Sequence, residues 1–211
     1  MPTTVFNANN IYNAEPLATG VIFVSPVGTP LPIDAQTPVL TVSSLWVDLG
    51  YTGVDGFVEK NDRRIDLKRA FGGKVVKVLQ TEYNATLDFT FMESLNAFVL
   101  QAVFGSTNVV ITAATNLHGN QVQVFKNSRK LPHQAWVIDT YDDALGSPSL
   151  INPLQAKYRN VVPNGVITTV AEIKVVHTDV IEYKVTLECL ESPAGMDNIV
   201  TYTDDGMHLG S

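Results

Sequence analysis

Between Thr81 and Phe91 every second side chain is apolar: Tyr83, Ala85, Leu87, Phe89 and Phe91 alternate with Glu82, Asn84, Thr86, Asp88 and Thr90. A period of two is the mark of an extended strand with one dry face and one wet face. A helix would scatter these residues round its circumference, because it turns every 3.6 residues. The alternation returns near the C-terminus, where Tyr183, Val185, Leu187 and Cys189 oppose Glu182, Lys184, Thr186 and Glu188. From Gln134 to Tyr141, Ala135, Val137 and Asp139 oppose Trp136, Ile138 and Thr140. Shorter strand signals lie at Val21 to Val24, Leu40 to Tyr51, Val109 to Thr112, Gln121 to Phe125 and Val166 to Val176. Proline cannot donate to a ladder. Residues 25–38, with Pro26, Pro30, Pro32 and Pro38, therefore read as extended loop, as do residues 142–165, with Pro148, Pro153 and Pro163.

One stretch changes period. Leu95, Phe98, Val99, Ala102 and Val103 make the stripe of an amphipathic helix over about residues 94–104. Ser94 is placed to cap its start and Gly105 lies just past its end. Phe98 is expected as the plug of that helix against the sheet. Many strands with one helix predict a mainly β fold: an antiparallel β-sandwich or rolled sheet with one flanking α-helix. The 211 residues read as a single domain, with an arm at 1–20 and a tail at 192–211 that are expected to be ordered only by neighbours.

Charge is unevenly placed. Residues 59–77 hold Lys60, Arg63, Arg64, Lys68, Arg69, Lys74 and Lys77 against Glu59, Asp62 and Asp66, a net of +4. The rest of the chain carries −11, which gives −7 overall. Copies of such a chain satisfy a basic arm and an acidic body by head-to-tail contact, because a two-fold pair sets arm against arm. Charged residues make up 17% of the chain, below the roughly 25% usual for soluble domains, so much surface is expected to be covered by other copies. The acidic balance argues against nucleic-acid binding by phosphate neutralisation.

Motifs for chemistry are missing. His118, His133, His177 and His208 stand apart from one another and from Cys189, so no zinc spacing arises and no metal or cofactor is expected. There is no phosphate loop and no nucleophile elbow. Asp139, Asp142 and Asp143 cluster, and a solvated turn is the simpler reading than a calcium site. A β-sandwich hydrolase would need a His–acid or two-carboxylate cluster, which the sequence does not supply. No secretory signal is visible, and no apolar run approaches the ~20 residues of a membrane span.

Several stretches, in order, resemble the major tail tube proteins of long, non-contractile-tailed (siphovirus-type) bacteriophages, notably those of actinobacterial hosts. They are Gly20-Val21-Ile22-Phe23-Val24-Ser25-Pro26 through Asp34, and Trp46-Val47-Asp48-Leu49-Gly50-Tyr51 with Asp55-Gly56. Ile65 to Gly73 with Val78-Leu79-Gln80-Thr81 follows, then Thr90-Phe91-Met92-Glu93-Ser94-Leu95-Asn96 into Val103-Phe104-Gly105. The likeness covers about residues 18–110 and thins beyond them.

The resemblance implies a structural virion protein of the phage tail, made in the host cytoplasm, and not an enzyme. It implies hexameric rings whose inner strands form one shared barrel, stacked round a lumen that DNA crosses during ejection. Its partners would be further copies of itself and the tape measure, tail tip and terminator proteins, with no membrane. The family's long inter-ring loop falls at 52–74 here, with Lys60, Asp62, Arg63, Arg64, Asp66, Lys68 and Arg69 as the contact set. A lumen that lets phosphates slide is acidic or neutral. Its expected lining is Glu82, Asn84, Thr86, Asp88 and Thr90, then Glu182, Thr186 and Glu188, with Lys184 the discordant member. The alternative is another virion β-protein, a decoration or adhesion module, which would form one finite oligomer.

Overall fold

The computed structural model describes residues 11–17, 20–146 and 155–206. Eleven strands follow one another: β1 (Glu15–Pro16), β2 (Ile22–Pro26), β3 (Val47–Asp48), β4 (Thr52–Arg69), β5 (Val75–Phe91), β6 (Val109–Thr112), β7 (Gln121–Val124), β8 (Gln134–Gly146), β9 (Gln155–Val170), β10 (Tyr183–Cys189) and β11 (Val200–Asp204). Among the described residues two α-helices join them, α1 (Val39–Val42) and α2 (Ala97–Phe104), the second followed by a 3-10 turn at Ser106–Asn108. All pairings are antiparallel. Nine strands form one sheet in the order β3-β2-β8-β9-β10-β5-β4, with β1 on β8 and β11 on β9, while β6 and β7 make a separate ribbon.

The two end strands of that path, β3 and β4, are joined by three residues, Leu49-Gly50-Tyr51. A flat sheet cannot meet that constraint, so the sheet rolls until its ends are close, without pairing them. Inside the roll the Asn160 side chain of β9 donates to the Glu59 carboxylate of β4 at 3.1 Å and so ties far strands together.

The alternating rows behave as a strand's chemistry requires. Leu87, Phe89 and Phe91 of β5 meet Val185 and Leu187 of β10, Trp136 and Ile138 of β8, and Val99 and Val103 of α2 in the larger core. Phe89 and Phe91 pack edge to face at 5.2 Å between centroids. The second cluster lies on the opposite face of β2 and β8, where Phe23, Ala135 and Val137 meet Val39 and Trp46 of the proline-rich crossing. Trp46 donates its indole N–H to the Pro30 carbonyl at 3.1 Å. Strand β2 is thus dry on both sides, which explains its unbroken apolar run.

A buried ion pair pins the crossing. Arg159 of β9 is fully buried and pairs with Asp139 of β8, its neighbour in register. Its other nitrogen donates to the carbonyls of Asp34 and Thr37, each at 2.8 Å. Burial pushes the Asp139 carboxyl above its ordinary range, and the pairing with Arg159 opposes that only in part.

Several expectations change here. Leu40 to Tyr51 is not a strand: after Pro38 the chain makes the short α1, and only Val47–Asp48 pairs. Both the amide and the hydroxyl of Thr41 donate to the Pro38 carbonyl, which closes that turn. Residues 142–165 are mostly strand; Pro163 is tolerated because the β8–β9 register shifts between Gln134 and Trp136, so it sits at a bulge. Residues 147–154, within that expected loop, lie outside the described residues.

Asn96 caps α2, its side chain accepting from the Phe98 amide at 3.0 Å, and the helix starts later than the Ser94 reading placed it. Val99, Leu100, Ala102 and Val103 are its buried face, while Phe98 is half exposed. The apolar stripe is wider than the contact, and Phe98 lies on its outer margin.

The terminal arms are partly anchored. Glu15 and Pro16 pair with Tyr141 and Thr140, and Tyr12 donates to Thr140 at 3.0 Å. Strand β11 lies within the expected polar tail and covers Lys157 to Val161 of β9, an edge that β10 does not reach. Residues 1–10, 18–19 and 207–211 of those arms, His208 among them, are outside the described residues.

A candidate assembly interface on the long hairpin and the wet face

Strands β4 and β5 pair from Thr52↔Phe91 to Arg69↔Val75, and Phe71-Gly72-Gly73 lies in the turn. The expected loop at 52–74 is therefore a strand for most of its length. Its sequence hides this, because both of its faces carry charge beyond Phe57. What defines it is main-chain pairing to β5, not an apolar row.

Strand β10 joins β5 only from Ala85 to Phe91. From Asn84 outward the hairpin has no third strand among the described residues and forms a two-stranded arm. Such a ribbon is marginal in water by itself. This one carries exposed Ile65, Leu67, Val76 and Val78.

Register sorts its side chains. One face continues the interior of the roll: Asn61, Arg63, Ile65 and Leu67 lie opposite Ala85, Tyr83, Gln80 and Val78. A register shift at Thr81, between the Arg64↔Glu82 and Ile65↔Gln80 pairs, keeps that face in step. The Arg63 guanidinium lies over the Tyr83 ring at 4.9 Å and donates to Gln80, while the Tyr83 hydroxyl donates to Asn61 at 2.8 Å.

The other face is wet. Lys60, Asp62, Arg64, Asp66 and Lys68 share it with Asp88, Thr86, Asn84, Glu82 and Lys77. It runs on across β10, where Lys184, Thr186 and Glu188 lie opposite Thr90, Asp88 and Thr86. The residues expected as inter-ring contacts and those expected as lumen lining thus largely share one surface. The face, expected to be acidic or neutral, is charge-balanced once β4 is included: Lys60, Arg64, Lys68, Lys77 and Lys184 stand against Asp62, Asp66, Glu82, Asp88 and Glu188. Glu182 precedes β10 and is not in the paired row.

Many of these charges are satisfied within the chain. Lys60 donates to Asp88 at 2.6 Å, Lys68 to Asp66 at 2.5 Å and Arg64 to Glu82 at 3.4 Å. Arg69 donates to the Gly73 carbonyl at 2.9 Å. Lys74 and Lys77 have no side-chain partner among the described residues, so the unanswered charge of the arm is concentrated at its tip. Exposed pairs such as these contribute roughly 0–1 kcal/mol each. They set register more than stability.

Asp88 is the best held. It accepts from Lys60 and, at 2.6 Å, from the Thr186 hydroxyl, and these keep its carboxyl below the ordinary 3.8. The Thr37 amide lowers Asp34 in the same direction. A depressed native value means stability that is present above 3.8 and lost as pH falls through the native value. Urea midpoints at about pH 6 and about pH 3 should therefore drop less for Asp88→Asn than for the native chain.

Sequence reasoning missed two features. Asp139 leaves the expected acidic cluster to pair with Arg159, and Glu15 takes its place beside Asp142 and Asp143. A lone arginine in the run Tyr158-Arg159-Asn160-Val161-Val162 was the available signal for the buried pair. The Glu59–Asn160 tie had no signal, since 101 residues separate its ends.

No curated protein matches the chain at a significant level. A family model described as "Phage tail tube protein" matches residues 6–207, nearly the full length, and the mainly β, antiparallel fold agrees with it. The chain belongs to the phage tail tube protein family.

Proposed function

We propose that this chain is the repeating subunit of a tube: six copies close into a ring, and rings stack head to tail round a lumen that DNA crosses during ejection. Family membership makes it a structural protein of the virion tail. Among the described residues no helix is long and apolar enough to cross a membrane.

The observation that carries the reading is the pairing state of β4. It ends the sheet path, its outer edge has no partner among the described residues, and it runs for 18 residues. A long bare edge is a template for another chain. Closing a ring by edge pairing removes it, and places the β4–β5–β10 wet face along the shared barrel. A charge-balanced lining then passes phosphates without holding them, because it offers no net positive field. The arm beyond Asn84 projects away from the sheet, as a contact to the next ring requires. Copies of the chain are the main partner. Tape measure, tip and terminator proteins are partners at the core and ends of such a tube.

Negative-stain images of the concentrated chain, with tail tips added as initiator, should show tubes with a central channel. A single finite oligomer, with tail tips and without them, would refute this reading and favour a decoration or adhesion module.

A further inference from the structure

Two surfaces carry charge that no ion pair among the described residues answers, although in the second Glu93 accepts from the Tyr51 amide and Asn96, and Asp48 from the Gly50 amide. The first is the hairpin tip. Phe71 is fully exposed there, and Lys74 and Lys77 lack partners among the described residues. Lys68 and Lys77 are directly opposed in register, and Asp66 answers only Lys68. Like charges across a strand pair destabilise it unless counter-charge arrives from outside.

The second is the seam of the roll. A groove of about 880 Å³ lies between the segment around β1 and the start of β4. Apolar Val21 and Phe57 line it, together with four carboxylates, Glu15, Asp48, Asp55 and Glu93, and no Lys or Arg. Residues 1–58 contain no Lys or Arg at all, and the first base of the chain, Lys60, is held by Asp88. Gly20 and Gly50, both at positive φ, leave room for the carboxylates: a Cβ on Gly20 would strike Asp48, and one on Gly50 would strike Glu93. Burial, and then the charge of Glu93, pushes the Asp48 carboxyl upward.

We infer that the seam groove receives the hairpin tip of a second copy of this chain, with Phe71 entering it and Lys74 and Lys77 meeting its carboxylates. The inference rests on the tube reading and names the two surfaces that join. A chain's own tip cannot fill its own groove. The groove lies at the root of β4, and Phe57 to Arg69 spans about 40 Å of strand. Because the two patches differ, the contact is open-ended and gives the stack a direction. Opposite charge at tip and groove supplies orientation, and the ring of Phe71 supplies apolar contact.

The test uses two full-length chains, one carrying Phe71→Cys and the other Tyr51→Cys, mixed, assembled and oxidised. Tyr51 lines the groove and is exposed, while the native Cys189 is buried. The disulfide-linked heterodimer should exceed by at least about tenfold that formed from Phe71→Cys and the control Leu117→Cys, because docking raises effective concentration. In a second arm, Lys74→Glu with Lys77→Glu should abolish assembly, as should Glu15→Lys with Asp55→Lys. A chain carrying all four changes should regain tubes. Normal tubes with cross-linking no higher than the control overturn the groove contact and leave the tube reading standing. So does a fourfold variant that stays dispersed while the native chain assembles. A native chain that forms only finite particles overturns both.

Discussion

Arg159→Met should destabilise the chain by about 3–5 kcal/mol at neutral pH, the largest loss expected from any single change. The substitution leaves Asp139 without its cation in a site that is 4% exposed, and it releases the carbonyls of Asp34 and Thr37. The lost anchor also loosens the crossing that covers Phe23, Val137 and Trp46. The sign with pH is specific. Without Arg159 the folded-state carboxyl binds its proton more tightly than the unfolded one, so stability should partly recover as pH falls toward the ordinary carboxyl value. Asp139→Asn in the same chain should restore part of the loss at neutral pH. Chemical denaturation of the native chain and the two variants checks this, and a pH-independent deficit would show that the charge is not the cause.

The second large effect concerns assembly alone. Replacing residues 63–83 by Asn-Gly, after the Asp62↔Asn84 pair, removes the free arm and keeps every strand that packs on the core. Asn-Gly suits a two-residue hairpin turn. The removed residues are exposed or nearly so, and the shortened chain should keep its melting behaviour within about 1 kcal/mol. Tube formation should disappear, leaving rings or smaller species in sedimentation. Tubes of normal length from this variant would exclude the arm as the stacking device.

What the sequence disclosed follows from which physics is local. Phe89, Leu187 and Trp136 announce their dry face by alternation, and each is buried where that rule puts it. The β6–β7 ribbon was legible too, from the β-branched run Val109-Val110-Ile111-Thr112 and from Val122 and Val124. The arm was visible as charge but not as strand, because Arg63, Arg64 and Asp66 give no apolar row to read. Pro163 misled, since a bulge accommodates it and the sequence does not mark bulges. The wet face was half legible: Glu82, Asp88 and Glu188 fall on it as expected, but the bases beside them come from β4, and only register shows that Lys60 lies beside Asp88. Glu182 was counted into a strand that begins one residue later. The seam groove was invisible, because it exists only once β3 and β4 approach from opposite ends of the sheet.

Strand order also governs how this molecule is born. β2 finds β8, and β5 finds β10, so these two early strands each wait for a second mate encoded far downstream. Between Phe91 and Cys189 a ribosome working at about 5–20 residues per second needs roughly 5–20 s. Throughout that interval the nascent chain already displays its projecting arm, while β5 is bare along the side that β10 will later cover. Premature polymerisation is therefore a hazard of synthesis, and a chaperone that shields β5 until translation reaches Cys189 would act at the moment of greatest exposure.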